Sequence, residues 1–136
     1  MSSSTTRTFS MTEQVSRALL LTRLFIESLN ARDVQGLASL VSDDVEFRNQ
    51  AGGRSLRGRS AAERLIAAAK EAELHLVRQE GEEVALGDHE HVVRVVVPVL
   101  EIIRGSEMRG TLSFEVRHGR ISCFSASSEA LEAARR

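Results

Sequence analysis

The sequence predicts an α+β domain in which three N-terminal helices are covered by a mostly antiparallel sheet. Apolar residues recur at helical spacing in the first half of the chain and at strand spacing from residue 74 onward. The spacers between the last strands are short, as in an antiparallel meander. The 136 residues can bury one core of this kind and leave no room for a second domain.

Two helices are predicted first. Ser10 and Glu13 have the spacing of a capping box, and apolar residues then recur at every third or fourth position as far as Leu29. The segment Asn30-Ala31-Arg32-Asp33 interrupts this stripe. Its aspartate is placed to cap a short second helix, which is expected to end at Ser42-Asp43-Asp44.

A strand is predicted from Val45 to Asn49. Its residues alternate, so that Val45, Phe47 and Asn49 share one face while Glu46 and Arg48 share the other. Because the first face is mostly apolar, it is expected to be covered. Asn49 is therefore expected to point into the interior of the domain.

The segment 50–59 is predicted to be a loop, with arginines at 54, 57 and 59 and several glycines. It lacks the lysine and the fixed spacing of a phosphate-binding loop, so a nucleotide site is not expected. Since its arginines precede a helix N-terminus, an anionic substituent on a ligand is one alternative. That third helix is predicted to open with a second capping box, Ser60-Ala61-Ala62-Glu63.

Four strands are predicted after the third helix, at 74–86, 90–103, 107–117 and 120–127. The second of them is apolar on both faces, which a sheet with one wet face does not show. One face is therefore expected to cover the helices and the other to meet a second copy of the chain, giving a homodimer. A bulge at Pro98 would exchange the two faces beyond it. The two faces carry Val93, Val95, Val97 and Val99, and Val92, Val96, Leu100 and Ile102.

The composition excludes several classes of function. The net charge of −1 argues against nucleic-acid binding, and no apolar run approaches the roughly 20 residues of a membrane span. The N-terminal residues are polar and do not form a secretory signal, so a disordered tail at 1–11 and a cytoplasmic protein are expected. The domain is placed at 12–128, with a second tail at 129–136. The chain has no tyrosine, which excludes any mechanism that uses a tyrosine hydroxyl.

The order of these elements, together with three local motifs, resembles the SnoaL-like and ketosteroid-isomerase-like branch of the nuclear transport factor 2-like superfamily. The resemblance covers roughly residues 12–128. It implies a curved sheet wrapped around the helices as a cone with one deep, largely apolar pocket. It also implies dimers that form through the sheet. The motifs are Leu29-Asn30-Ala31-Arg32-Asp33, Ser42-Asp43-Asp44-Val45 and Leu56-Arg57-Gly58-Arg59-Ser60.

The same resemblance allows the catalytic residues of ketosteroid isomerases to be compared with the residues at the matching positions of this chain. Ketosteroid isomerases use a carboxylate base and an oxyanion hole made of a tyrosine and a protonated aspartic acid. Through the motifs, the tyrosine position falls on Phe25, the base on Asn49 and the second acid near Ser113, which lies between Leu112 and Phe114. An amide is no base near neutral pH and a phenyl ring donates no hydrogen bond. No steroid isomerase activity is therefore expected.

Limonene epoxide hydrolases, another branch of the superfamily, hold a water with an asparagine that is assisted by a tyrosine and by acids. The segment Phe47-Arg48-Asn49 resembles only the asparagine part, with Phe47 in the tyrosine position. All four aspartates of the chain are assigned to caps and turns. This hydrolase chemistry is not expected either.

Two polar residues remain as catalytic candidates. Asn49 would orient a ligand or a water, or alternatively bond to the loop that follows it. Glu101 shares the face of the odd-numbered valines and would act as a buried acid or base, or alternatively pair with Arg104 or Arg109 at the strand end. His89-Glu90-His91 offers two metal ligands but no third, so no metal site and no cofactor are expected.

The sequence therefore predicts a pocket protein for a mostly apolar small molecule. The alternatives are an enzyme version, a cyclase, hydrolase or dehydratase acting on a secondary metabolite, and a non-catalytic interaction module that dimerises through its sheet. A cavity of roughly 300 Å³ or more favours a ligand, whereas side chains that fill the cone favour the module. The predicted ligand-binding residues are Phe25, Phe47, Asn49, Leu112, Phe114 and Phe124.

Overall fold

The computed structural model describes residues 11–49, 55–86 and 91–128, without the side chains of Asn49 and Ser128. The predicted capping residue Ser10 and nearly all of the two predicted tails lie outside these ranges. Three helices are present in the described part: α1 (Met11–Ala31), α2 (Val34–Leu40) and α3 (Ser60–Glu71). None of the described helices is long and apolar enough to cross a membrane.

The described strands form one sheet of mostly antiparallel pairs, which confirms the predicted α+β class. The strands are β1 (Val41–Asn49), β2 (Ser55–Arg57), β3 (Leu74–Arg78), β4 (Glu83–Leu86), β5 (Val92–Ile103), β6 (Ser106–Arg117) and β7 (Arg120–Ser128). Their spatial order is β2-β1-β7-β6-β5-β3, and β4 also pairs with β5. Only the β1–β7 pair among them is parallel.

The helix caps give one confirmed prediction and one that is wrong. Asp33 caps α2 as predicted, because its carboxylate accepts the backbone N–H of Gly36 at 2.9 Å. At α3 the cap position is Arg59, in helical conformation and without a side-chain hydrogen bond, so Ser60 is not a capping residue. The first turn of α3 is closed by backbone bonds instead, from Ala61 N–H to the Gly58 carbonyl among them.

The segment Ser42-Asp43-Asp44 does not end α2, as the sequence suggested, but belongs to β1. The strand begins at Val41, and its register against β7 shifts between Val41 and Glu46. Val41 and Val45 lie four positions apart, so strand alternation turns both inward, and both are fully buried. Local propensity pointed to a helix end, whereas burial of the two valines favours a bulged strand.

The predicted strand 74–86 is two strands, because the chain leaves the sheet edge at residues 79–82 opposite Pro98. Proline has no N–H to donate. The Pro98 carbonyl accepts the Gln79 N–H at 2.8 Å, so the donorless side of Pro98 faces this break and not β6. Gly81 supports the turn with a φ of 106°.

The register of β5 against β6 runs without a bulge from Val92 to Ile103, so Pro98 does not exchange the faces. We call the helix-covered face of the sheet the inner face and the opposite one the outer face. Val93, Val95, Val97 and Val99 lie on the inner face at 0–2% exposure and belong to the core. The alternating residues Val96, Leu100 and Ile102 are only half-buried on the outer face.

The motif Leu29-Asn30-Ala31-Arg32-Asp33 fixes α1 to the sheet edge. The Asn30 amide donates to the Leu76 carbonyl at 2.8 Å and accepts the Leu76 N–H at 2.9 Å. Arg32 donates to the Leu74 carbonyl at 2.6 Å. These bonds satisfy the outward backbone groups of β3, an edge strand, and hold it against the helix.

Candidate functional site

Four phenylalanines meet under α1 and form what we call the ring cluster (Phe25, Phe47, Phe114 and Phe124). The Phe25 ring centroid lies 4.7 Å from that of Phe124, 5.1 Å from Phe114 and 6.1 Å from Phe47. Most of these pairs have the edge-to-face or tilted geometry that aromatic rings prefer. All four side chains are at most 5% exposed.

Sheet register explains why the rings meet. Phe47 lies opposite Phe124, and Phe124 lies opposite Phe114, so three neighbouring strands place their rings side by side on the inner face. Phe25, in the middle of α1, packs against these three rings and is fully buried. Leu112, at 2% exposure, lies two residues from Phe114 on the same face. The structure thus brings together the five hydrocarbon residues that the sequence placed in the ligand site.

The rings pack against one another and fill this part of the inner face. Their centroid separations of 4.7–6.1 Å leave no room between neighbouring rings for a ligand. Thr22, the buried polar residue beside them on α1, donates its hydroxyl to the Leu19 carbonyl at 2.8 Å. A ligand in contact with the ring cluster would therefore meet hydrocarbon, and would have to displace rings or bind at their edge.

Asn49 is the last residue of β1, where its backbone pairs with Ala126 of β7. Ala126 is partly buried against the core. The orientation of the Asn49 amide lies outside the described part of the structure, so its role as a ligand-orienting group stays a prediction.

Glu101, the second catalytic candidate, lies on the inner face near the end of β5. One carboxylate oxygen, Oε2, is buried, and it occupies the space in front of Gly110 of β6, where a Cβ would overlap it. Arg104, one of the partners suggested by the sequence, forms its ion pair with Glu73 at 3.5 Å. The carboxylate therefore lies over β6, in front of Gly110.

A cavity of about 520 Å³ lies on the outer face, across β1, β7 and β6. We call it the outer groove. It is large enough for a small molecule. Its lining differs from the predicted pocket, since it consists mainly of charged side chains. Those are Asp44, Glu46, Glu115, Arg48, Arg57, Arg117 and Arg120, beside His118, Cys123 and two serines.

Several charged side chains of the outer groove form ion pairs with one another. Glu46 lies 3.2 Å from Arg48 and 3.4 Å from Arg57, and Glu115 lies 3.1 Å from Arg117. Burial raises the pKa of Glu46, but hydrogen bonds from Arg48 and Ser55 together with the charges of Arg48 and Arg57 outweigh burial and hold this pKa below its usual value. Since Arg57 is engaged here, it is not directed at the N-terminus of α3, where the sequence suggested an anion.

Cys123 is half-buried on the outer face and belongs to the outer groove. Burial raises the pKa of its thiol, and the nearby guanidinium of Arg48 opposes this rise without cancelling it. The thiol is thus mostly protonated near neutral pH, which makes it a poor nucleophile.

His91 and His118 lie side by side, with ring centroids 5.1 Å apart. His89 and Glu90, the other residues of the His89-Glu90-His91 segment, fall outside the described residues. Within the described ranges, no three His, Cys, Asp or Glu side chains are grouped as metal ligands.

The outer groove is the feature that sequence reasoning missed. A signal was present, because Glu46 and Arg48 alternate on β1 as Glu115 and Arg117 do on β6. Finding the groove also required the strand order, in which β7 alone separates these two strands.

Comparison with known proteins identifies the fold and the family. The model of the SnoaL-like domain family matches residues 22–124. No curated protein sequence matches the chain significantly.

Solved structures with the same fold include a Kribbella flavida protein provisionally described as a ketosteroid isomerase. It has 20% identity and a TM-score of 0.66, with 83% of this chain and 78% of that one covered. A Xanthomonas campestris protein, provisionally described as a polyketide cyclase, has 19% identity and a TM-score of 0.66, over 89% and 96% of the two chains.

A Nostoc punctiforme domain of unknown function with a cystatin-like fold is 17% identical, with a TM-score of 0.68 over 88% and 80% of the chains. Identities this low show a shared fold and do not transfer an activity. The family match, in contrast, spans most of the described domain. The chain therefore belongs to the SnoaL-like family, and it has the fold of solved structures that are described as nuclear transport factor 2-like.

Proposed function

We propose that this protein binds a mostly apolar small molecule on the inner face of its sheet and does not perform ketosteroid isomerase chemistry. The family match over residues 22–124 carries the ligand part of this proposal, because the rings fill the inner face and a ligand would have to displace them or bind at their edge. The ring cluster supports an apolar ligand, since it presents only hydrocarbon on the inner face. Such a surface selects ligands by apolar contact, with a few polar groups fixing their orientation.

The positions of the isomerase groups support the second half of the proposal. Phe25 stands where the tyrosine would be, and its ring is enclosed by three other rings. Near the position of the second acid, Leu112 and Phe114 face inward. Ser113 lies between them on the outer face, opposite Val96 and Ser125, so its hydroxyl is directed away from the site. An oxyanion forming beside Phe25 would find no hydrogen-bond donor on these side chains.

Two structural relatives are provisionally described as polyketide cyclases, from Xanthomonas campestris and Sinorhizobium meliloti. These descriptions support a ring-bearing metabolite as the ligand class to test first. A reaction on such a metabolite, of the cyclase, hydrolase or dehydratase type, would have to rely on Asn49 or Glu101.

The test uses the phenylalanines themselves as reporters. The chain has five phenylalanines and neither tyrosine nor tryptophan, so isotope-labelled phenylalanine gives a simple aromatic NMR spectrum. We expect a binding terpenoid, polyketide or steroid to shift the ring signals of Phe25, Phe114 and Phe124 and to raise the melting temperature.

The variant Arg117→Ala serves as the control for this experiment, because it alters the outer groove and leaves the inner face intact. It is expected to give the same ring shifts as the natural protein. A compound panel that leaves all ring signals in place would overturn the proposal. So would ring shifts that disappear in Arg117→Ala, since they would place the ligand on the outer face.

A second candidate function is a non-catalytic interaction module, and the filled ring cluster favours it. If the rings do not open, the outer face becomes the functional surface. It combines the outer groove with the half-buried apolar residues of β5. The mass of the protein in solution tests this candidate.

A further inference from the structure

We propose that the outer groove binds a small organic anion with two acidic groups, and that the arginines on its two sides hold one acidic group each. The groove lies on the opposite face of the sheet from the ring cluster. This second ligand is therefore independent of the apolar ligand proposed for the inner face.

The shape of the outer groove follows from the side chains on three neighbouring strands. Glu46 of β1 and Glu115 of β6 both lie opposite Cys123 of β7. Long side chains on β1 and β6 flank the small side chains of Ser122 and Cys123, so space is left between them. This space is the cavity of about 520 Å³, which is large enough for a small metabolite.

On each side of the groove, two arginines share one carboxylate. A carboxylate brings one negative charge to two guanidiniums, so each set of three side chains keeps a net positive charge. We call these sets the cationic triads. They are Glu46 with Arg48 and Arg57, at 3.2 and 3.4 Å, and Glu115 with Arg117 and with Arg94 of β5, at 3.1 and 3.7 Å.

The guanidiniums of the triads are more accessible to a ligand than the carboxylates. The two carboxylate side chains are 18% and 27% exposed, whereas the triad arginines that line the groove are 48–73% exposed. An approaching ligand therefore meets positive charge first. A guanidinium has five N–H donors, and an ion pair with one carboxylate uses one or two of them, so donors remain for a ligand.

Arg120 adds a further positive charge to the groove. It lies opposite Arg117 where β6 turns into β7, and it donates to the Ser39 carbonyl at 3.4 Å. Because that carbonyl is neutral, this bond does not offset the charge of Arg120. The described lining of the groove contains four arginines and three carboxylates, and this excess of positive charge favours an anion.

The separation of the two triads explains why the ligand has two acidic groups. Glu46 and Glu115 lie on the two strands that flank β7. Neighbouring strands are about 4.8 Å apart, so the backbones of these two residues are roughly 10 Å apart. A short carbon chain with an acidic group at each end can therefore contact one triad with each group. Two charge-assisted hydrogen-bonding ends select this dianion over a ligand with one acidic group.

Three probes with the same carbon chain test the inference: adipate with two carboxylates, hexanoate with one, and the neutral adipamide. Isothermal titration calorimetry at low ionic strength measures their affinities, because salt screens exposed charges. We expect adipate to bind about tenfold more tightly than hexanoate, or better, as a further hydrogen bond between charged groups implies, and adipamide to bind more weakly than both. Bound adipate should slow the alkylation of Cys123, which lines the groove, and leave the phenylalanine ring signals in place.

One variant on each side of the groove and one control make the test specific. Arg48→Ala and Arg117→Ala are each expected to weaken adipate about tenfold and so to remove its preference over hexanoate. The matched control is Arg109→Ala, which removes an exposed arginine from the same face of β6 toward its other end. It should bind adipate as the natural protein does. All three side chains are exposed, so the variants are expected to fold.

The contrary results are distinct from failure of the proposed function, because the ring signals report the inner face separately. Equal affinities for the three probes would overturn the inference, as would a loss of adipate binding in Arg109→Ala that matches the loss in Arg117→Ala. Absence of adipate binding would overturn it too. If Cys123 then becomes protected from alkylation as the protein concentration rises, the occupant of the groove is a second copy of the chain.

Discussion

At the scale of single residues, the pKa of the Cys123 thiol reports on the charges around it in the outer groove. Burial raises the pKa of its thiol, Arg48 opposes this rise, and Glu46 and Glu115 add to it. Because it is the only cysteine of the chain, alkylation by iodoacetamide reports on it alone. The rate should follow the thiolate fraction and rise with pH through a pKa above that of a free thiol.

We expect Arg48→Ala to move this pH profile to higher pH and Glu46→Gln to move it to lower pH. The raised pKa also has a consequence for stability. The thiol of the unfolded state has the lower pKa, so it ionises first as the pH rises. Below that pKa the protonated thiol stabilises the folded state, and this stabilisation is lost as the pH rises through the pKa of the folded state. Profiles of both variants that coincide with that of the natural protein would contradict the assigned contacts.

Residues with local partners could be predicted from the sequence, and residues with distant partners could not. Asp33 was predicted as a cap because it accepts the N–H of a residue three positions away. Asn30 and Arg32 belong to the same motif, but they bond to the backbone of β3, 46 and 42 residues further on. No periodicity in the sequence indicates such pairs. They follow from the packing of α1 against the sheet edge.

The candidate site also combines features that the sequence predicts with features that it does not. The family resemblance implied one pocket, which was predicted to be lined by Phe25, Phe47, Phe114 and Phe124, and the structure brings these rings together. Whether they line an open pocket or pack ring against ring depends on separations of a few ångströms. Those separations follow from sheet curvature and from the height of α1 above the sheet, which hydrophobic patterns do not record.

At the scale of one element, α2 begins with two residues that depend on each other. The carboxylate of Asp33 caps the helix, and a Cβ on Gly36 would overlap its Oδ2 and Cγ and lie 3.1 Å from Ser28 Oγ. Alanine is usually about 1 kcal/mol better than glycine within a helix. Here we expect Gly36→Ala to destabilise the protein, because the new methyl group displaces the cap.

A double-mutant cycle tests this dependence through urea unfolding. Asp33→Ala should cost about 1 kcal/mol by itself, the usual value of a lost cap. In that background Gly36→Ala should be neutral or stabilising, because the overlapping carboxylate is gone. The coupling is thus expected to reverse the sign of the Gly36→Ala effect. Additive effects would show that Asp33 and Gly36 act independently.

Element boundaries were predicted less well than element types, for physical reasons. The break at residues 79–82 is set by Pro98, a residue on the neighbouring strand, through its bond from Gln79 N–H. The short strand β2 exists because Leu56 lies opposite Phe47 and the pair extends the sheet edge. Both are consequences of pairing between segments, and a reading along the chain assigned these residues to one long strand and to a loop.

At the scale of the whole molecule, the two faces of the sheet have different characters. The inner face is apolar and closed by helices and rings. The outer face carries the outer groove, with its paired charges, beside the half-buried Val96, Leu100 and Ile102. A two-fold symmetric contact places the same patch on both sides. A patch that carries both charge signs suits such a contact, because its acidic side chains can face the basic side chains of the second copy. Its apolar residues can pack against the apolar residues of that copy.

We therefore expect two copies of the chain to assemble through the outer face. We expect light scattering at micromolar concentration to give a mass near twice the 14.9 kDa of one chain. Leu100→Asp should yield a folded monomer, since this side chain is half-buried on the outer face and lies outside the core. The matched control, Leu20→Asp, changes a leucine of α1 that is 53% exposed, and it should leave the mass unchanged. A natural protein with the mass of one chain would exclude the outer face as a dimer interface. A dimer that persists in Leu100→Asp would place the interface elsewhere on the surface.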